Sequence, residues 1–294
     1  MKTHFSQTIS LLLKFLGLLF LYFVGRLLFY FFNHHQFANA GFGHLIYIFF
    51  FGIRFDASLI VLSNVLFILL FLFPAPFRNH RAYRFVLKWL FILVNSMAML
   101  ANCIDLVYFQ FTLKRTTSDV FNFFGGGIGN DVGNLLPTFL KDYWYLLVIW
   151  FVLCFLVYKI YALSEIREFE KWSPKRYINE VIIYAASIGF YLLVYRGGLQ
   201  LKPISEITAG EYVSVKEVPL MVNTPFTIMK TLDVEGIEPV SFFKNDEEMK
   251  KLYSPIHKGK AGDFKKLNVF IIALESFSKE YVGALNGGKR TATP

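Results

Sequence analysis

Glu275 closes the apolar run 267–274 in "LNVFIIALESFSKEY". A carboxylate at such a point can supply oxygen to a hard divalent cation such as magnesium, manganese or calcium. Read locally, it is first of all a strand end facing water, because one carboxylate is not a metal site. Arg54 and Asp56 in "FFFGIRFDASLI", with Asp105 further on, form a second group, costly in lipid and therefore expected to face other helices or the interface. Two positions apart on a helix, Arg54 and Asp56 point to different faces and do not neutralise each other. Matched by depth, Arg54 and Asp105 are expected to pair between helices. Such a group either locks a bundle or holds an anionic lipid headgroup on the guanidinium fork.

Other polar clusters point less clearly to chemistry. The stretch "TLKRTTSDVFNFFGGGIGN" holds Lys114, Arg115 and the glycines 125–127 and 129, yet no strand precedes it and the glycine spacing misses the dinucleotide fingerprint. It reads as a flexible or re-entrant connection. His34, His35 and His44 share one loop without a carboxylate or cysteine at ligand spacing, so interfacial residues are expected there rather than a metal site.

The elements that must position these residues are mostly membrane helices. Of the 294 residues, 55% are hydrophobic and 35 are Phe, too apolar for a soluble surface. Five segments approach the roughly 20 apolar residues a bilayer demands: 9–32, 45–73, 83–109, 139–158 and 178–195. The first, preceded by "MKTH" and followed by "ANA", resembles a signal peptide, but its apolar region is too long and an uncleaved helix is expected.

Charge sets the orientation. The loops "PAPFRNHRAYR" and "KIYALSEIREFEKWSPKRY" are rich in Lys and Arg and should be cytoplasmic, whereas "NHHQFANAGFGH" has neither. The N-terminus is then cytoplasmic and the tail beyond Tyr195 lies outside. The same pattern accounts for the net charge of +9 without nucleic acid as a partner. Cys103 and Cys154 both fall within apolar spans and suggest no disulfide framework.

The fold class expected is therefore an α-helical bundle of five transmembrane helices over 1–197, an extracytoplasmic linker with short helices over 198–265, and the start of an α/β domain over 266–294. In the linker, "NTPFTIMKTL" reads as a helix capped by Thr224 with Pro225 at its first position. "NDEEMKKLY" reads as another, acidic at its start and basic at its end. The run 267–274 has the pattern of a strand buried on both faces of a parallel sheet, with Glu275 at the carboxyl end where ligands gather.

With "NVFIIALESFSKEYVG", "YRGGLQLKPI" and "NTPF" placed after five spans, nearly the whole chain resembles the lipoteichoic acid synthase branch of the alkaline phosphatase and sulfatase superfamily, including related membrane sulfatases of Gram-negative bacteria. The resemblance implies a bacterial cytoplasmic (inner) membrane enzyme whose sulfatase-like domain works outside the cell or in the periplasm. It implies transfer or hydrolysis of a phospho- or sulfo-ester headgroup, typically that of the anionic lipid phosphatidylglycerol, by a threonine nucleophile with a bound Mn2+ or Mg2+. On the "LES" match Glu275 is the first metal ligand. Nothing after it matches the nucleophile segment, so the chain is expected to be a truncated or partial form, inactive alone. The rival reading is a non-catalytic lipid-binding or transport-like membrane protein, although paired broken helices of the transporter kind are not evident.

Overall fold

A computed structural model describes residues 6–38, 40–121, 137–165, 173–232, 242–243 and 246–253, with scattered positions from 268 to 287. The chain divides into two compact units, Met1–Gly236 and Ile237–Pro294.

In the first unit, five helices are long and apolar enough to cross a membrane: α1 (Ser6–Phe32), α2 (Phe42–Ser63), α4 (Arg81–Thr112), α5 (Trp144–Leu163) and α6 (Pro174–Arg196). The short α3 (Val65–Leu72) continues from α2. Helices suit this composition because each backbone N–H and C=O is satisfied within its own segment, without water. α1 shows how the faces divide. Leu11, Phe15, Leu18, Tyr22 and Phe29 recur at spacings of three, four or seven and are buried, while Leu12, Leu16, Phe20 and Phe31 remain about half exposed or more. α1 packs on α2, α4 and α5; α4 lies along α5, and α2 along α6.

The single long span expected over 45–73 is divided. Asn64 leaves helical geometry between α2 and α3, and its side-chain amide exchanges hydrogen bonds with that of Asn95 on α4, at 3.1 and 2.9 Å. The break is thus satisfied inside protein, as a membrane interior requires.

Past Arg196 the chain turns sharply. Gly197, at φ 74°, and Gly198 return their N–H groups to Val194 and Leu193, a glycine-closed helix end. The following segment forms α7 (Glu206–Gly210), α8 (Val218–Met221) and α9 (Thr224–Thr231), all within the first compact unit. α8 packs against α1 and α2, and α9 against α2 and α4. Asn223, rather than Thr224, caps α9: its side chain accepts from the Phe226 N–H, leaving the Thr224 hydroxyl for another partner.

In the second unit, α10 (Asp246–Leu252) matches the expected acidic-to-basic helix. The strand expected over 267–274 is not seen among the described residues: Asn268 and 270–272 take no strand geometry, and Phe270, Ile271 and Ile272 are more than four-fifths exposed. A strand needs a neighbour for its backbone groups and a layer over its apolar face. Glu275 lies outside the described residues, as do the glycines 125–127 and 129.

Candidate functional site

A layer of buried charge lies where α8 and α9 meet the bundle. It contains two linked groups. Arg26 on α1 reaches across to α2, donating from Nη2 to Asp56 Oδ1 at 2.7 Å and to the Gly52 carbonyl at 3.1 Å. The same guanidinium holds the tail, with Nε donating to Leu220 O and Nη2 to Met221 O, both at 3.0 Å. Asn223 Nδ2 donates to the same Asp56 oxygen at 2.7 Å. Gly52 is required by this approach, because a Cβ there would lie 2.5 Å from the Arg26 guanidinium carbon.

The second group forms around Asp105 on α4. α4 ends at Leu113 in the left-handed region, φ 55°, which turns the next residues back over the helix. Thr116 then donates to Asp105 from its hydroxyl at 2.5 Å and from its amide at 3.1 Å. Thr224 donates to Asp105 Oδ2 at 2.6 Å, and its hydroxyl accepts from Arg115 Nη1 at 3.1 Å. Arg115 also donates to Pro219 O at 2.8 Å, lies 3.8 Å from Asp105 Oδ2, and stacks 3.4 Å over the Phe29 ring. Burial pushes the Arg115 guanidinium down to about 10, Asp105 opposing the shift, so it stays charged at neutral pH.

Asp56 and Asp105 are both at most 1% exposed, and each is matched by an arginine and by a side chain from 223–224. Buried charge of this kind persists only when paired and hydrogen-bonded. The matching is incomplete at one spot: Arg26 Nη1, Asp56 Oδ2 and Tyr22 Oη have no hydrogen-bond partner among the described residues.

Arg54 belongs to neither group, which corrects the expected Arg54–Asp105 pair. Its Nε donates to the Gly197 carbonyl at 2.5 Å, Nη1 to Tyr212 Oη at 2.7 Å and Nη2 to Gln200 Oε1. Arg54 therefore fastens α2 to the turn after α6, while Arg26 and Arg115 serve the two aspartates. As expected, Arg54 and Asp56 do not pair with each other. Arg26 escaped sequence reasoning although the signal was present, a guanidinium inside an otherwise apolar span. Lys14 escaped in the same way. It is fully buried at the other end of α1, donating to Ser10 Oγ at 2.8 Å and Ser164 O at 3.2 Å.

Among the described residues no group of three or more His, Cys, Asp or Glu is placed to hold a metal. The His34 and His35 rings meet at a tilt of 39°, and His44 faces Glu217 at 3.1 Å. The layer acts as a fastener: its arginines donate to backbone carbonyls, the Asp56 carboxylate and the Thr224 hydroxyl, and so join three membrane helices to the chain that follows them. Compared with models of known protein families, with curated proteins and with solved structures, the sequence and fold match none.

Proposed function

We propose that this chain is the membrane anchor and docked linker of a metal-dependent enzyme that transfers or hydrolyses phospho- or sulfo-ester headgroups outside a bacterial cytoplasmic membrane. The observation that carries this reading is the seating of "VPLMVNTPF" in the bundle, where Asn223 and Thr224 reach Asp56 and Asp105. Seating of this kind would fix where the chain leaves the bundle, and positioning is a large part of catalysis on an anchored substrate. The "LES" resemblance adds the chemistry, with Glu275 as the proposed ligand of Mn2+ or Mg2+ and an anionic phospholipid as substrate. The N-terminus is then cytoplasmic and the tail extracytoplasmic, as the basic loops suggest.

The test is lipid turnover by membranes of cells carrying the gene in its own genomic context. Labelled phosphatidylglycerol, phosphatidylethanolamine and an aryl sulfate are offered with and without Mn2+. Metal-dependent turnover that Glu275→Ala abolishes, with membrane insertion unchanged, is the expected result. Turnover of none of the three, or equal turnover by the variant, overturns the reading.

A further inference from the structure

The end of the bundle opposite the docked tail carries a site of different character. A recess of about 630 Å3 opens between the start of α4 and the end of α5, lined by Arg81, Arg84, Lys88, Tyr158 and Glu165 among others. The three cations follow one another at spacings of three and four on α4, which places them on one face of the helix. Arg84 is neutralised by Glu165 from the chain just beyond α5, the one ion pair these three cations make among the described residues. Lys88 stands 4.5 Å over the Tyr158 ring, a contact that leaves its N–H donors free for an oxygen ligand. Among the described residues Arg81 has no carboxylate within ion-pair distance. Among the described residues the lining thus sets three cations against one carboxylate.

Basic loops beside membrane helices ordinarily need no ligand, since topology accounts for them. Here the cations line a concave, partly enclosed space instead of projecting from a loop tip. Beside them on α4, Phe85 is 62% exposed and Trp89 45%, and their rings meet edge to face. Aromatic side chains so placed sit at headgroup depth. Trp89 and the lining Tyr158 are the aromatic types that suit a border of water and lipid.

From this geometry we infer that the recess binds the phosphate of an anionic ligand, with Arg81 and Lys88 as the free donors and Arg84 as the one held by Glu165. The ligand its position favours is the headgroup of an anionic phospholipid in the leaflet on that side, since basic pockets between membrane helices take such headgroups. This inference does not rest on the proposed enzymatic reading, and its test requires no turnover.

The test is native mass spectrometry of the full chain in mild detergent, titrated separately with phosphatidylglycerol and phosphatidylcholine, and with glycerol 3-phosphate as competitor. The wild type is expected to prefer phosphatidylglycerol. The double variant Arg81→Gln, Lys88→Gln, whose removed charges hold no ion pair among the described residues, should lose that preference by roughly tenfold or more, on the basis of about one cation's contribution each. Glu165→Gln removes the opposing charge and should strengthen binding, a gain that misfolding does not produce. Displacement of the lipid by glycerol 3-phosphate assigns recognition to the phosphate alone; failure to displace it assigns the lipid-borne headgroup. Equal binding of both lipids, or an unchanged preference in the double variant, overturns the inference.

Discussion

Asn223 Nδ2 meets Asp56 Oδ1 at 2.7 Å across 167 positions of sequence, while Asn223 Oδ1 accepts from the Phe226 amide. One side chain therefore caps α9 and partners a buried membrane carboxylate. Asn223→Ala removes both. Loss of the cap costs about 1 kcal/mol, and the bond withdrawn from Asp56 adds about 1–3 kcal/mol. The expected outcome is release of the 218–231 segment from an intact bundle, seen as faster amide exchange and protease cutting there while α1 and α4 stay protected. Protection unchanged in 218–231 would show that the cap and pair do not hold it.

Arg26 and Asp56 are both buried, and removing one leaves the other uncompensated. Arg26→Met alone should cost roughly 3–5 kcal/mol, and Arg26→Met with Asp56→Leu much less than the sum of the two singles. Unfolding in detergent measures this cycle; additive losses would show that the pair is not coupled.

Gly52→Ala offers an independent check on the same spot. The added methyl meets the guanidinium carbon at 2.5 Å and must displace it from the Gly52 carbonyl and Asp56. A loss of about 1–3 kcal/mol is expected, as for other overpacked sites. In an Arg26→Met background the same substitution should cost clearly less.

How much of this was legible in sequence follows from what each signal encodes. The five spans were, because an apolar run of sufficient length admits few other structures in lipid. The division at Asn64 was not: one Asn in an apolar run reads as tolerated polarity, and its meaning depends on Asn95 from another helix. Arg54, Asp56 and Asp105, expected to face the bundle or the interface, lie against protein, the two aspartates buried and Arg54 half-buried. Their partners were not legible, since matching residues by depth takes no account of rotation about each helix axis. Rotation turns Arg54 toward Gly197 and Tyr212, and places Arg26 against Asp56. Nor does any periodicity announce that residues 223 and 224 fold back into the bundle.

The observed partners predict that exchanging the charges of Arg54 and Asp105 gives no rescue. Arg54→Asp sets a carboxylate against the Gly197 carbonyl, and Asp105→Arg sets a second guanidinium beside that of Arg115. The double variant should be at least as unstable as the worse single. Recovery of thermal stability in the double would restore the interhelical pair as the correct reading.

Two glutamates outside the spans should respond to pH with opposite sign. Burial raises the Glu206 carboxyl above its ordinary 4.5, Lys114 only partly opposing it. Ionised Glu206 therefore disfavours the folded state, a penalty fully present above the raised pKa and lost as pH falls through it. For Glu217 burial acts in the same direction but is outweighed by hydrogen bonds from the Ser214 hydroxyl and amide and from His44, so its pKa is lowered. Its stabilisation is present above the ordinary value and disappears as pH falls through the lowered one. Glu206→Gln should raise the thermal midpoint in detergent at about pH 8, and Glu217→Gln should lower it, with both differences shrinking toward about pH 4. Shifts of the same sign in the two variants at about pH 8 would sink the assignment of these glutamates to opposing environments.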